Sequence, residues 1–387
     1  MDNFFAQCPR GLSGVLADEL RQIGATNLVP GEAGVAFSSE WMVACRANLV
    51  SRVASRILWQ VALFPYQTEH DVYDAAMLLA WPSWFAVTRT IKVEVSAHRS
   101  PVKSLDFTTL KIKDAVCDKF REQVGERPSV ATREPDIRIH AHLDETMAAL
   151  YLDLTGEPLF KRGSREHKGA APLKKNLAAG IIALSGWQPD EPFLDPMCGS
   201  GTFLVEAAQI ALNIMPGIER HFAFEKFADF DRDAWAKIIA DARAAEKPKT
   251  LLPIYGSDLY GAALDDARAN LVANGLADCV RVKQANITEI SAPEASGVLI
   301  ANPPYGDRLG DANELLALYP QLGDVLKQKF AGWRAYFFSG DTKLPKGVRL
   351  TASKKTPLFN GKIDCRLYEY KMIAGSNRRE KEPADGA

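Results

Sequence analysis

Three short motifs, each ending an apolar run and always in one order, constrain this chain more than anything else in it. The first is Asp195-Pro196-Met197-Cys198-Gly199-Ser200-Gly201-Thr202, which follows Phe193–Asp195 and opens the apolar-periodic stretch Phe203–Asn213. Glycines at such a strand-to-helix turn let the backbone come close to a ligand at the helix N-terminus. A lone Gly-x-Gly is common in other turns and in dehydrogenases. The second motif, Tyr255-Gly256-Ser257-Asp258, ends a strand on a carboxylate. That group can accept hydrogen bonds from two ribose hydroxyls, or it can cap a helix over Ala263–Ala273. The third is Asn302-Pro303-Pro304-Tyr305, after Val298–Ala301. Consecutive prolines fix the backbone and leave carbonyls with no competing local N–H, although Pro-Pro alone is also a rigid loop.

The surrounding pattern is strand, helix, strand, helix. Strands are predicted at Phe193–Asp195, Ile254–Ser257, Val280–Gln284, Val298–Ala301 and Ala335–Ser339, with a helix at Asn176–Ser185. That alternation favours a parallel sheet with its ligand crevice at the carboxyl ends of the first strands. Residues 206–250 hold a helix and an aromatic insertion, Phe222–Trp235. Upstream, Phe4–Cys8 reads as a strand, Gly11–Ile23 as a helix, Asn27–Phe37 as a strand with a turn, and Glu40–Ile57 as a helix. Ile91–Ala97 alternates as a half-buried strand does. Phe107–Val124 is an amphipathic helix with Leu110, Ile112, Ala115, Val116 and Phe120 apolar, and Ile137–His142 and Ala148–Leu154 are two more strands. His140 and His142 share a strand face. With no further ligand apparent, an exposed sheet face is preferred to a metal pair.

A length of 387 residues suits roughly two or three domains. The six cysteines lie far apart with no Cys-x-x-Cys pair, which argues against a zinc ribbon or disulfide framework and for a reducing cytosol. The N-terminus has no basic start or long apolar run, and no stretch reaches the length of a membrane span, so a cytoplasmic protein is expected. A net charge of −1 excludes a globally basic nucleic-acid binder. Local charge tells more. Residues 89–121 carry eight Lys/Arg against four Asp/Glu, residues 161–175 six against one, and residues 343–371 eight against two. Any one run reads as a solvated face. Three flanking the same motifs predict a basic surface, for which a polyanion is the natural partner.

Taken together, the glycine loop and Asn302-Pro303-Pro304-Tyr305 resemble those of class I S-adenosylmethionine-dependent methyltransferases that modify exocyclic or amide nitrogens. Within that class the chain resembles the THUMP-domain RNA guanine-N2 methyltransferases of the UPF0020 family, namely the RlmL-type N-terminal half that acts on 23S rRNA and its stand-alone relatives. Supporting runs are 161–165, 171–179, Ser185-Gly186-Trp187 and Phe359-Asn360-Gly361-Lys362-Ile363-Asp364-Cys365. The resemblance implies an α/β fold in which a C-terminal Rossmann-like methyltransferase domain follows an N-terminal α+β ferredoxin-like/THUMP part. The expected boundaries are a ferredoxin-like unit at 1–60, a THUMP RNA-binding domain at 61–155, the methyltransferase domain at 156–374 and a disordered tail at 375–387. In the two-enzyme fusion a second methyltransferase follows. Here none does, so that activity is expected to be absent.

The resemblance also implies site residues. S-adenosylmethionine would lie against Asp195, Pro196, Met197, Cys198, Gly199, Ser200, Gly201, Thr202, Asp258, Leu259, Asn286 and Ile287, with no metal. The third strand ends Gln284-Ala285-Asn286, where relatives often carry an aspartate, so Asn286 keeps a carbonyl acceptor and loses the charge. Cys198 is expected to pack rather than react. The catalytic group would be Asn302, Pro303, Pro304 and Tyr305. RNA, most readily 23S rRNA, would meet Lys103, Lys111, Lys161, Arg162, Arg165 and Lys174.

The N2 amine of guanine is a poor nucleophile because its lone pair is delocalised into the ring. The Asn302 side-chain oxygen and the Pro303 carbonyl would hold its two N–H groups, and Tyr305 would stack on a flipped base. Competing readings are a tRNA guanine-N2 enzyme, an adenine-N6 or glutamine-N5 enzyme, and a non-catalytic RNA-binding protein. A final expectation is a division of labour in which residues 156–387, expressed alone, bind the cofactor while site choice resides in the N-terminal half.

Overall fold

The structure, a computed structural model, describes residues 1–163, 173–304 and 312–373. Tyr305, Arg165 and the tail at 375–387 lie outside these. The N-terminal half runs β1 (Asp2–Gln7), α1 (Ser13–Gln22), β2 (Thr26–Pro30), β3 (Gly34–Ser39), α2 (Trp41–Val50) and β4 (Arg56–Pro65). It continues with α3 (Glu69–Met77), α4 (Trp81–Trp84), β5 (Ile91–Ala97), α5 (Leu105–Val124), β6 (Ile137–Leu143) and β7 (Met147–Asp153). All seven strands join one sheet in the order β2-β3-β1-β4-β7-β6-β5. Strand β4 pairs with β1 on one side and β7 on the other, so the ferredoxin-like and THUMP-like segments share a continuous sheet.

Local chemistry sets the long helix. The Ser104 hydroxyl accepts the Phe107 N–H at 3.2 Å to cap α5, and Gly125, at φ +84°, ends it. Helix α2 departs from its sequence pattern. It stops at Val50, not Ile57, because Glu19 of α1 captures the next backbone donors, accepting the N–H of Arg52 at 3.1 Å and of Val53 at 3.3 Å. Of the apolar residues beyond, Val53 and Ala54 lie in the connection and Ile57 in β4.

The C-terminal half runs α6 (Lys175–Ser185), β8 (Phe193–Asp195), α7 (Thr202–Ala211), α8 (Arg232–Ala244), β9 (Ile254–Asp258), α9 (Gly261–Ala273) and β10 (Arg281–Gln284). Then come β11 (Gly297–Ala301), α10 (Ala312–Lys329), β12 (Trp333–Ser339), β13 (Lys354–Asn360) and β14 (Ile363–Lys371). The sheet order is β10-β9-β8-β11-β12-β14-β13, parallel except for β14, which is antiparallel to both neighbours. The order reverses between β8 and β11, and the crevice beyond their carboxyl ends is where such sheets bind ligands.

One hydrophobic core crosses from half to half. Phe4, Leu12, Leu16 and Val53 pack in the same cluster as Leu177, Ile181, Phe203 and Leu204. A second cluster, with Leu299, Phe330, Trp333 and Phe337, fills the opposite face of the C-terminal sheet.

Candidate active site

Asp195 ends β8 and is buried, its Oδ1 accepting the Met197 N–H at 3.2 Å. Burial, and after it the neighbouring Asp258 charge, push its pKa well above the carboxylate range, against the pull of the Met197 bond. The following loop is tied to its surroundings at several points. The Cys198 N–H donates to the Ser257 carbonyl at 2.9 Å, and Asn270 Nδ2 to the Ser200 carbonyl at 3.0 Å. Gly199 and Gly201 take left-handed backbone, at φ +51° and +74°. A Cβ on Gly201 would press on Ala267 of α9 at 3.2 Å, so glycine is what lets loop and helix approach. Cys198 is buried, and burial pushes its thiol far up, with Asp195 and Asp258 adding to the shift. It packs, as expected, within the core cluster.

Asp258 closes the loop. Its Oδ2 accepts the Gly199 N–H at 2.9 Å and its Oδ1 the Tyr260 N–H at 3.1 Å. Helix α9 starts at Gly261 with no side-chain cap, so Asp258 braces the glycine loop instead of capping that helix. Leu259 and Tyr260, next in the chain, are 48% and 66% exposed, an apolar ledge beside the carboxylate. Ile287 is buried, and Asn286 spends its side-chain carbonyl on the Thr288 N–H at 3.0 Å. The left-handed glycines, the acceptor at Asp258 and the ledge at Leu259 fit a nucleoside with an adjoining charged chain.

Asn302 follows β11, the strand that pairs with β8, so it stands at the same sheet edge as Asp195. Its Oδ1 is buried and has no hydrogen-bond partner among the described residues. Such a group costs about 1–3 kcal/mol unless something supplies a donor. Pro303 is buried and Pro304 half-buried beside it.

The basic candidates divide. Lys103, Lys161 and Lys174 are exposed, Lys161 being paired with Glu157 at 2.8 Å and Lys174 lying 4.6 Å over the Phe160 ring. Lys111 sits between the rings of Tyr73, at 5.5 Å, and Phe107, at 5.3 Å. Phe107 and Leu110 are 48% and 50% exposed, although helical spacing assigns Leu110 to the packed face of α5. Arg162 is a correction. It is buried and holds Glu206 with Nε at 3.3 Å and Nη2 at 2.8 Å, so it is not available to RNA. A run of six basic residues gives no sign that one is buried, because its partner stands 44 positions away on α7.

A β10-β9-β8-β11-β12-β14-β13 sheet with a glycine loop after its first strand, a carboxylate after its second and Asn-Pro-Pro after its fourth defines a class I methyltransferase fold. More specifically, residues 162–369 match the RMKL-like methyltransferase domain, 66–153 the THUMP domain and 3–58 the RlmL ferredoxin-like domain. The chain belongs to the RMKL-like methyltransferase family. It is 38% identical over 392 residues to a ribosomal RNA large subunit methyltransferase K/L of Photobacterium profundum, covering 100% of this chain and 55% of that protein. The chain thus spans about half the length of such relatives. It is also 38% identical to a putative RNA methyltransferase, slr0064, of Synechocystis, covering 95% of this chain and 96% of that one. Among solved structures it resembles SMU.472, a putative methyltransferase complexed with SAH. There the TM-score is 0.88 and the identity 31%, over 97% of this chain and 99% of the other.

Proposed function

We propose that the chain transfers a methyl group from S-adenosylmethionine to the exocyclic N2 amine of a guanine in 23S rRNA, in the cytoplasm. The observation that carries this is the buried Oδ1 of Asn302 at the mouth of the sheet, which has no hydrogen-bond partner among the described residues. It is an acceptor waiting for a donor, and a planar amine offers two N–H groups. In this reading Asn302 Oδ1 takes one and the Pro303 carbonyl the other. Holding both draws the nitrogen lone pair out of conjugation and would aim it at the sulfonium methyl, with S-adenosylhomocysteine as the leaving group and the surplus amine proton lost to water. Pro303 and Pro304 keep these acceptors rigid, so little reorganisation is needed on reaction. When bound, S-adenosylmethionine supplies a methyl group already activated by its sulfonium. Asp258 and the 196–201 loop would hold it, with Leu259 against its base. Tyr305 would offer a ring for the flipped guanine.

The RNA assignment is supported by the THUMP match and by the names of the relatives, which call them ribosomal RNA or RNA methyltransferases. The exposed Lys103 and Phe107 and the half-buried Lys111, near the start of α5, offer charge and a stacking ring together. The division into 1–60, 61–155 and 156–374 follows the same reading, with the first two docking RNA and the third carrying the chemistry.

The test is methylation of protein-free 23S rRNA and of tRNA by the full chain, with nucleosides mapped by mass spectrometry. N2-methylguanosine at one position of 23S rRNA, with little in tRNA, is the expected result. Methylated adenine, or a tRNA guanine as main product, overturns the substrate assignment.

A further inference from the structure

The loop between α2 and β4 carries an arginine whose side chain leaves its own domain. Arg52 Nη2 donates to the carbonyls of Gln209, at 3.3 Å, and Ile214, at the C-terminal end of α7. A guanidinium there meets the negative end of the helix dipole. Arg52 Nη1 lies 4.0 Å from Glu206, in the middle of the same helix. Glu206 is held by the Nε and Nη2 of Arg162, whose Nη1 returns to the Arg52 carbonyl at 2.9 Å. Glu19 of α1 in turn fixes the backbone of Arg52. Arg52 keeps 14% of its side-chain exposure, Arg162 2% and Glu206 none. Such a cluster is expensive to desolvate and adds little stability over apolar packing, which makes a positioning role the better account of it.

Helix α7 begins at Thr202, directly after the glycine loop, and Glu206 is one turn further on. Bonds at its middle and at its end leave the helix neither free to slide nor free to turn about its axis. We propose that Arg52 is a positioning residue for the cofactor. From the N-terminal half, and together with Arg162, it fixes where α7 stands and so where the amides of the 196–201 loop meet Asp258. This rests on the reading of that loop as the S-adenosylmethionine site.

The experiment is calorimetric titration of the full chain with S-adenosylhomocysteine, alongside thermal melting. Arg52→Met is expected to raise Kd about tenfold or more, equivalent to about 1.4 kcal/mol. Arg52→Lys keeps the charge without the two-pronged reach and is expected to raise Kd about threefold. Lys226→Met is the control, since it breaks another contact between the halves, the 2.7 Å pair with Asp136, away from α7. It should lower Tm and leave Kd within about twofold. An Arg52→Met chain that melts earlier but binds as wild type does overturns the proposal, as does a Lys226→Met chain that loses affinity equally. If Arg52→Met is insoluble, Arg52→Lys decides, and an unchanged Kd rejects the role. Failure of the wild-type chain to bind at all rejects the cofactor reading instead.

Discussion

The Asp258 carboxylate accepts the backbone N–H of Gly199 at 2.9 Å, joining the end of β9 to the glycine loop that leaves β8. One residue therefore braces the loop and presents the acceptor that a ribose would need. Asp258→Ala should raise the Kd for S-adenosylhomocysteine about ten- to a hundredfold, since a hydrogen bond to a charged group contributes about 1.5–3 kcal/mol. Calorimetric titration measures it. An unchanged Kd would leave Asp258 a loop brace and nothing more.

Asn302→Ala separates catalysis from stability. It removes a buried oxygen that has no partner among the described residues, so Tm should hold or rise slightly. Turnover should fall about a hundredfold or more, the usual cost of losing one preorganised group at the reacting centre. The Kd for S-adenosylhomocysteine should stay within about twofold, because the side chain is placed for the amine and not for the cofactor. A variant that loses affinity and turnover together would make Asn302 a cofactor residue.

The site was legible because its strands are buried on both faces and read as apolar runs stopped by Gly, Asp or Pro. The limits lay elsewhere. Helix α2 ends at Val50 for no reason in its own sequence, which offers neither Gly nor Pro there. The stop is Glu19, more than thirty residues upstream. The helix reading reached only the first two residues of β4, Arg56 and Ile57, and the rest of that strand carries an apolar run without clean alternation. Arg162 lay in a basic run, and only Glu206 on another helix makes it a buried group. The β13–β14 hairpin did carry a signal, Asn360-Gly361, with Gly361 at φ +65°.

Asp136 makes the stability of the full chain depend on acid. Burial alone would raise its pKa, but Lys226 and Thr90 outweigh that and hold it at about 2, below the ordinary 3.8. A depressed carboxylate contributes stability above its unfolded value and loses it as pH falls through the folded one, here about 2 kcal/mol at most. Wild type should therefore exceed Asp136→Asn in urea-unfolding free energy at pH 6, and the gap should close between pH 4 and pH 2. A gap that persists at pH 2 would assign the difference to packing.

Salt dependence tests the basic surface. Each phosphate neutralised steepens the logarithmic salt slope of RNA affinity by about 0.7 to 0.9. Reversing the exposed Lys103 and the half-buried Lys111 to Glu should flatten that slope measurably. Arg162→Glu should act differently. It would bury two carboxylates against each other, so the expected outcome is an unfolded or insoluble chain. A well-folded Arg162→Glu protein with a flattened slope would restore that arginine to the RNA surface.

The junction between the halves argues against one part of the expected division of labour, that residues 156–387 expressed alone still bind the cofactor. Helix α6 is buried almost throughout, and its Gly180 lies so close to Leu12 that a Cβ would stand 2.4 Å from Cδ1. Asn176 donates to the Val53 carbonyl at 3.3 Å and to Ser55 Oγ at 3.0 Å, and Phe227 packs 5.9 Å from Trp41. Cutting the chain at 156 strips this apolar surface bare and leaves Glu206 without Arg52. The fragment should show weak near-ultraviolet dichroism and no measurable binding of S-adenosylhomocysteine, as for a core that has lost its packing. A soluble fragment that binds as the full chain does would show that the junction is dispensable to the cofactor site. Site choice is therefore better probed in the full chain. Phe107→Ala with Lys111→Ala removes a stacking ring and a charge from an exposed face far in sequence from the glycine loop. That pair should leave the Kd for S-adenosylhomocysteine unchanged while methylation of 23S rRNA slows and spreads to other guanines. Undiminished methylation at one position would mean that α5 does not dock the RNA.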